Sequence, residues 1–356
     1  DHRDLHSFPT RRSTDLLVPK IEALFTVNEE VGMEGAIGLD FHHLEGNRLI
    51  NVDSEDEGIL TAGCAGGVRV DVTYSGIKEY REGYLYTLTI SNLLGGHSGV
   101  DIDKNHVNAI KCIGGFLSKI EGYSLVSIDG GKVDNAICDE CTIRILFDEK
   151  YDYQELIHSM ENYLKQNEEA QGIVSIMEEY VTEQVFCKDD TLNIIQYISQ
   201  SKNGVIAYEE NLDSLVKTSL NFGVIKTKDN MVYMSHSVRS SNDEERDKVV
   251  QMIIENANSI HALFELKNPY SGWKYNDHSI LRGVFEEVYQ EMFHKDLIIN
   301  VVHAGLECGV FIGKRKTLDC VSIGPTILGV HNPEARDEID SVNRTYDYLV
   351  AILEKL

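Results

Sequence analysis

Short apolar runs without polar alternation mark both ends of the chain. Ile21–Val27 (IEALFTV) and Leu49–Val52 (LINV) have the pattern of parallel strands buried on both faces, and a glycine-rich stretch (VGMEGAIGL) between them predicts a turn and the start of a helix. The same pattern returns near Pro269, where Leu297–Val302 and Cys320–Ile323 read as short buried strands. These flanking segments predict one α/β domain.

The middle of the chain alternates apolar and polar positions instead. Half-exposed strands of the antiparallel type are predicted at Val68–Tyr74, Gly83–Ile90, Thr142–Phe147, Leu220–Ile225 and Met231–Val238. Helical spacing relates Leu156, Ile157, Met160, Tyr163 and Leu164, and also Val249, Val250, Ile253, Ile254, Ala257 and Ile260. We therefore expect an α+β module inserted into the α/β domain, with no internal sequence repeat.

Two amphipathic helices are predicted after the inserted module. The first carries apolar positions from Leu281 to Met292 and begins after Ser279, whose hydroxyl suits an N-cap. The second is the last helix of the chain. Its predicted buried face consists of Val342, Tyr346, Leu349 and Leu353.

The first sixteen residues, DHRDLHSFPTRRSTDL, differ from the rest. They have neither helical nor strand periodicity, and they resemble a translated sequencing-adapter read. We therefore expect residues 1–16 to be foreign and exclude them from the fold prediction. On this interpretation the natural protein starts upstream of Leu17.

Composition narrows the function classes. The 356 residues are 42% hydrophobic and 26% charged, which excludes general disorder, and no apolar run is long enough for a membrane-spanning helix. A formal charge of −25 argues against nucleic acid as a partner, because such a surface repels phosphate. The seven cysteines form no visible disulfide framework, which favours a cytoplasmic location.

One cysteine pair has the C-x-x-C spacing. Cys138 and Cys141 would need a second pair of Cys or His ligands at short spacing to form a structural zinc site, and none follows in the sequence. The alternatives are a metal or redox pair and two small residues that enter a strand. The second interpretation requires no further ligand.

Acidic and imidazole side chains follow the predicted strands of the α/β domain. Glu29 and Glu30 follow the first strand, Asp53 the second, and His331 lies in the loop GPTILGVHNPE. Such ligands suit zinc, manganese or cobalt, and adjacent glutamates allow one to bind metal while the other accepts a proton. The alternative for each residue is a solvated loop position.

Six segments occur together in one order: TVNEEVGMEGA, INVDSEDEG, GGHSGVDI, VDNAI, VVHAGLECG and SIGPTILGVHNPE. In these segments the chain resembles the Xaa-His (aminoacylhistidine) dipeptidases, which are co-catalytic zinc peptidases related to carnosinases and aminoacylases. The resemblance runs from Leu17 to Leu356. It implies a hydrolase-like α/β catalytic domain with a mixed sheet, at residues 17–66 and 268–356, interrupted by an inserted α+β lid domain at residues 67–267.

The resemblance also implies a metal site. Two divalent metal ions are expected, with zinc as the expected metal and cobalt or manganese as alternatives. Glu30 and His331 correspond to ligands of one metal and Asp53 to a ligand of the other. Glu29 corresponds to the general base that activates a hydroxide bridging the two metals.

The other implied site residues bind substrate. His97 corresponds to a lid histidine that stabilises the oxyanion, and in dimeric relatives it comes from the partner subunit. Asn135 and Arg239 correspond to residues that hold the C-terminal carboxylate, and Glu307 with His303 is the candidate for the free amine. The alternatives are a turn position for His97, a strand-end cap for Asn135, a surface charge for Arg239 and packing for Glu307.

The chain also departs from the family pattern. Relatives have a metal-binding His in an H-x-D motif and a bridging Asp, both before the segment that begins here at Leu17. H-R-D at residues 2–4 matches that motif by letter only. We therefore expect the natural product to be a dipeptidase and this chain to be inactive or nearly so.

The implied function is hydrolysis of dipeptides, preferably Xaa-His, by a cytoplasmic homodimer that pairs through its lid and binds neither membranes nor nucleic acid. Two alternatives stay open, namely a related amidohydrolase such as an aminoacylase or tripeptidase, and a non-catalytic, dimerising or peptide-binding lid protein. GGHSGV lacks the last glycine of a serine-hydrolase elbow, and no H-E-x-x-H occurs.

Overall fold

The computed structural model describes residues 18–29, 32–209, 215–329 and 334–356. The expected foreign segment 1–16 lies outside these ranges. The chain divides into two compact units. The flanking unit combines the residues up to Gly66 with Tyr270–Leu356, and the inserted unit is Gly67–Pro269.

The described strands are β1 (Arg48–Asn51), β2 (Ile59–Cys64), β3 (Gly66–Ser75), β4 (Lys78–Ser91), β5 (Tyr123–Gly130), β6 (Cys141–Phe147), β7 (Ile173–Phe186), β8 (Gly204–Tyr208), β9 (Val216–Lys228), β10 (Met231–Ser240), β11 (Leu263–Tyr270), β12 (Ile298–Val302), β13 (Asp319–Ser322), β14 (Ile327–Leu328) and β15 (Arg336–Asp337). The described helices are α1 (Glu34–Gly38), α2 (Ala109–Leu117), α3 (Gln154–Gln166), α4 (Lys188–Gln200), α5 (Asp243–Ser259), α6 (Ile280–Phe293), α7 (Glu307–Lys314) and α8 (Ile339–Lys355). None of these helices is long and apolar enough to cross a membrane.

The flanking unit is a three-layer α/β structure. Its sheet has the order β1-β13-β2-β12, with β1 parallel to β13, β12 parallel to β2, and β13 antiparallel to β2. One face packs on α6 and α8 through residues such as Leu60, Phe285 and Tyr348. Helices α1 and α7 pack together in a separate apolar cluster that includes Phe311 and reaches Leu49 of β1. The predicted mixed α/β sheet is confirmed.

Two predictions for this unit are wrong. Ile21–Val27 is not a strand, and Phe25 and Val27 are 73% and 62% exposed, so the strand neighbours that would bury them are lacking in the described structure. In α8, Val342 and Tyr346 are exposed and Leu349 and Leu353 are only half-buried. Tyr348 and Ile352 are buried instead, because they pack in the cluster of Phe285, whose carbonyl accepts the hydroxyl of Tyr348 (2.6 Å). The N-cap at Ser279 is confirmed, since its hydroxyl accepts from the N–H of Arg282.

The inserted unit contains the same β–α–β–β–α–β arrangement twice. The first half is continuous and consists of β4, α2, β5, β6, α3 and β7. The second half takes β3 from before the first half and continues after it with α4, β9, β10, α5 and β11. From the β5–β9 junction, the sheet order reads β5-β6-β4-β7 in one direction and β9-β10-β3-β11 in the other. The two halves are therefore related by approximate two-fold symmetry, although the sequence analysis found no internal repeat.

One face of this large sheet is the apolar core. Alternate residues of both halves, for example Leu88, Ile143, Phe222 and Val238, pack against helices α2 to α5 in one continuous cluster. The opposite face, called the outer face below, carries the remaining residues of each strand. The alternation predicted from the sequence is confirmed for β3, β4, β6, β9 and β10, whereas β5, β7, β8, β11, α2 and α4 of this unit were not predicted. In the flanking unit, β2, β14, β15 and α7 were not predicted.

Candidate active site

Glu29 and Asp53 lie in loops of the flanking unit. The carbonyl of Glu29 accepts the N–H groups of Gly32 (3.1 Å) and Met33 (2.9 Å), which fixes the turn before α1, and its side chain is half-buried. Asp53 is exposed two residues beyond β1, and its N–H donates to Oδ1 of Asn51 (3.0 Å). Hydrogen bonds therefore fix the backbone of both residues that carry these carboxylates.

The predicted metal ligands are only partly described. Glu30 and His331 lie outside the described residues, and Asp53 is the predicted ligand that remains. Among the residues that the structure does describe, no three His, Cys, Asp or Glu side chains form a group that could hold a metal ion. The carboxylate of Asp53 suits a hard or borderline divalent cation, but the described residues do not by themselves form a complete metal site.

Glu307 is a buried carboxylate at the start of α7. It is 7% exposed, and its Oε2 accepts the hydroxyl of Thr26 (3.0 Å). Burial raises the pKa of Glu307, the Thr26 hydrogen bond opposes that rise, and the negative charge of Asp53 adds to it. Its Oε1 is buried and accepts no hydrogen bond within the described chain. A cationic group is the chemical complement of such an oxygen. His303 lies half-buried between β12 and α7.

His97 and Asn135 lie side by side in the inserted unit. Residues His97 and Ala136 form an antiparallel bridge, and the N–H of Ser98 donates to the carbonyl of Asn135 (2.8 Å). The N–H of Ile137 donates in turn to the carbonyl of Gly96 (2.8 Å). The side chain of Asn135 is exposed. Two predicted residues that are far apart in sequence are thus held on adjacent backbone segments.

The hydrogen bonds of the His97 ring define its tautomer. Its Nδ1 accepts the N–H groups of Gly99 (3.2 Å) and Val100 (3.3 Å), so Nδ1 carries no proton. The proton of the neutral imidazole is then on Nε2. The backbone N–H of His97 is held by the carboxylate of Asp101 (2.7 Å), which fixes the turn. His97 therefore presents a hydrogen-bond donor at Nε2.

Arg239 is not a surface charge, because it is only 9% exposed. It lies on β10 directly opposite Ser219 of β9, and two residues away Ser237 lies opposite Asn221. Residues directly opposite in an antiparallel pair point to the same face. Since Leu220 and Phe222 face the core, Arg239 and Asn221 belong to the outer face.

Comparisons with known proteins agree with this architecture. The chain is 34% identical to the cytosol non-specific dipeptidase of Escherichia coli (strain K12) in an alignment 354 residues long that covers 94% of this chain and 71% of the relative. The crystal structure of aminoacylhistidine dipeptidase from Vibrio alginolyticus matches with a TM-score of 0.87 and 34% identity, covering 97% of this chain and 72% of that one. The chain belongs to the M20 dipeptidases.

The M20 assignment confirms the family resemblance and extends to the inserted unit. A family model described as a peptidase dimerisation domain matches residues 88–171. This range begins in β4 and ends just before β7, so it lies within the first half of the inserted unit. It contains His97 and Asn135 but not Arg239, which lies in the second half.

Two buried polar residues of the inserted unit that hold the segments of His97 and Asn135 were missed by the sequence analysis. Asn221 and Glu169 are both buried and hydrogen-bond to the backbone around Asn135 and at the ends of the His97 loop. Polar residues are expected at every second position of an alternating strand, so the sequence does not distinguish Asn221 from its neighbours. Glu169 lies in a turn next to other glutamates, so it is not distinguished either. Cys138 and Cys141 are buried thiols, and Cys141 begins β6, as the structural interpretation of the C-x-x-C pair expects.

Proposed function

We propose that the protein hydrolyses dipeptides with a free C-terminal carboxylate, preferably Xaa-His, in the cytoplasm. The observation that carries this proposal is the 34% identity and TM-score of 0.87 with an aminoacylhistidine dipeptidase over 97% of this chain. The E. coli relative is named a non-specific, cytosolic dipeptidase, which supports a broader dipeptide range and the location. A homodimer that pairs through the inserted unit is proposed from the family model described as a dimerisation domain.

Two divalent metal ions, with zinc expected, complete the proposed site. Glu30 and His331 would hold one ion and Asp53 the other. When bound, such ions supply Lewis acidity toward the peptide carbonyl. The exposed carboxylate of Asp53 next to the end of β1 is consistent with this assignment.

The protein's own residues would manage protons and charge. Glu29 accepts a proton from the attacking water and passes it to the leaving amine. His97 donates from Nε2–H to the developing oxyanion, and the tautomer described above supports that role.

Substrate ends would be bound by charge complementarity. Arg239, with its forked guanidinium, and Asn135 bind the terminal carboxylate. Glu307 and His303 bind the free amine, and the buried Oε1 of Glu307 supports this.

The test is hydrolysis of carnosine and Gly-His with added Zn²⁺ or Mn²⁺, measured on this chain and on a version extended upstream from the same genome. We expect the extended enzyme to be active and Glu29→Gln to lower kcat by at least about 100-fold, the usual contribution of a general base. Bound metal, measured by elemental analysis, should stay unchanged. Glu34→Gln is the matched control, because Glu34 is a nearby exposed glutamate.

Two outcomes would contradict the proposal in different ways. If Glu29→Gln keeps its activity, the general base is another group. If the extended enzyme binds metal and cleaves neither dipeptide, the substrate class is wrong and the aminoacylase alternative gains support.

A further inference from the structure

Hydrogen bonds connect the segments that carry the three predicted lid residues, His97, Asn135 and Arg239, to the strand of one buried asparagine, Asn221. Asn221 lies in the middle of β9, is 1% exposed and faces the same side of the sheet as Arg239. Ser237 of β10 is directly opposite Asn221, and Arg239 follows two residues later on the same strand. Asn221 is therefore built into the rigid strand pair that carries Arg239.

The amide of Asn221 holds the backbone on both sides of Asn135. Its Nδ2 donates to the carbonyl of Asp134 (2.8 Å) and to that of Ala136 (2.8 Å). The two N–H bonds of one planar group thus hold the carbonyl groups of the two residues that flank Asn135. Asp134 also lies against Gly223 of β9. A Cβ atom at position 223 would be only 2.6 Å from the carbonyl oxygen of Asp134.

Backbone hydrogen bonds also join the segment around Asn135 to His97, the residue proposed to stabilise the oxyanion. The N–H of Ser98 donates to the carbonyl of Asn135, and His97 forms its bridge with Ala136. Strand pairing and hydrogen bonds therefore connect the strand of Arg239 with Asn221, Asn221 with the segment around Asn135, and that segment with His97. Arg239 and Asn221 belong to the second half of the inserted unit, and the other two residues belong to the first half.

We propose that Asn221 is a positioning residue that sets the relative placement of Arg239, Asn135 and His97, and thereby the recognition of the substrate carboxylate. This inference rests on the proposed function, since it assigns Asn221 to the carboxylate site proposed above. Asn221 acts through Asn135 and the strand pair and does not contact the reacting atoms. A purely structural asparagine would stabilise the fold without altering substrate preference.

The experiment compares Asn221→Ser with Asn203→Ser in the active, upstream-extended enzyme. Serine at 221 cannot donate to both carbonyls, whereas Asn203 accepts the N–H of the adjacent residue Phe222 (2.8 Å) and contacts neither Asp134 nor Ala136 through a described hydrogen bond. The readout is kcat/KM for Gly-His and for Gly-His amide, which lacks the carboxylate. We expect Asn221→Ser to reduce the preference for the free acid at least 10-fold, mainly through KM, and Asn203→Ser to preserve it.

A second pair of variants shows whether Asn221 acts through Asn135. In an Asn135→Ala background, Asn221→Ser should change KM clearly less than it does in the wild type, because coupled residues are non-additive. The remaining change reflects the placement of Arg239. If Asn221→Ser does not fold, Asn221→Thr replaces it, since threonine suits a strand and likewise has one hydroxyl donor.

The possible results separate the two proposals. If both substrates lose activity equally in the Asn221 variant, or if its loss adds fully to that of Asn135→Ala, the positioning role is overturned while the dipeptidase proposal stands. If Arg239→Lys and Asn135→Ala also leave the acid preference unchanged, the carboxylate site itself is wrong and the inference falls with it.

Discussion

The two halves of the inserted unit end their second helices in the same backbone conformation but place different residues there. Helices α3 and α5 both end with a residue in the left-handed region, Glu168 (φ 61°) and His261 (φ 56°). In each case the N–H of the following residue bonds to a carbonyl five residues earlier, the pattern of a Schellman cap. The residue at that equivalent position is Glu169 in the first half and Ala262 in the second, and both are buried.

The buried glutamate binds the two ends of a loop that is present in the first half and has no counterpart of similar length in the second. Carboxylate oxygens of Glu169 accept the N–H groups of Leu94 (2.9 Å) and Val107 (3.2 Å), which bound the loop that contains His97. In the second half the equivalent connection, from β3 to α4, is the whole first half. The comparison shows that the apolar core determines the topology that both halves share. The polar residue at one helix cap is instead determined by the loop that it holds.

The outer faces of the two halves differ in the same way. In the first half, Leu85, Val126, Leu146 and Val185 form a small buried apolar cluster. In the second half, the outer face carries Asn221 and Arg239, together with the ion pair of Arg69 and Asp71 (2.8 Å). The first outer face therefore contributes stability, and the second carries Arg239, proposed to bind substrate, and its proposed positioning residue Asn221.

Leu85→Ala tests this division and should have the largest effect. Leu85 is fully buried, and truncation of a buried leucine costs about 2–5 kcal/mol of unfolding free energy. The preference for a free carboxylate should stay unchanged, because the substrate residues lie elsewhere. Urea unfolding and kcat/KM for the acid and amide substrates measure both effects. Thr87→Ala, at the next outer-face position of β4, is the control. An altered acid preference in Leu85→Ala would remove the distinction between the faces.

The fold was predictable from the sequence wherever one face of an element is apolar. The alternation of Gly83–Ile90 predicted β4 because Leu88 and Ile90 face the core. In α8 the same reasoning selected the wrong face, since the apolar positions allow two stripes and the contact with Phe285 decides between them. Periodicity cannot reveal which distant element a helix will meet.

The candidate site was predictable only through family resemblance. His97 and Asn135 are 38 residues apart in the sequence and become neighbours through a short antiparallel bridge. Asn221 contacts that segment from 85 residues away or more, and no spacing rule covers such a distance. Hydrogen bonds between side chains and distant backbone carbonyls depend on the tertiary structure, so they leave no local pattern.

Glu169→Gln should have the next largest effect, because it tests the residue that distinguishes the two helix caps. An amide keeps one acceptor but directs an NH₂ toward a backbone donor, so at least one loop bond is lost. Loss of a hydrogen bond to a buried charged group costs about 1–3 kcal/mol. Amide hydrogen exchange of Leu94 and Val107 should become faster. Glu168→Gln is the matched control, since Glu168 is exposed one residue earlier. Equal exchange rates in both variants would show that the carboxylate does not hold the loop.

His236→Phe should have the smallest effect at neutral pH. It tests whether acid destabilises the core of the second half more than the core of the first. His236 is fully buried between Phe222 and Tyr197, where β6 of the first half has isoleucines. The pKa of His236 is lowered to about 3, mainly by burial and in part by the charge of Lys111, while a hydrogen bond with the backbone of Val70 and the charge of Asp71 oppose the shift.

Because the folded pKa is depressed, neutral His236 contributes stability that is present above the ordinary histidine pKa of about 6.5 and is lost as the pH falls toward 3. The loss is about 1.4 kcal/mol per pH unit, so the wild type should lose roughly that amount by pH 5.5 from this group. His236→Phe should remove this part of the slope, measured by urea unfolding between pH 7.5 and 4.5. His158→Gln, an exposed histidine on α3, should keep the wild-type slope. An unchanged slope in His236→Phe would mean that acid acts first on another group, and the core would then be equally acid-resistant in both halves.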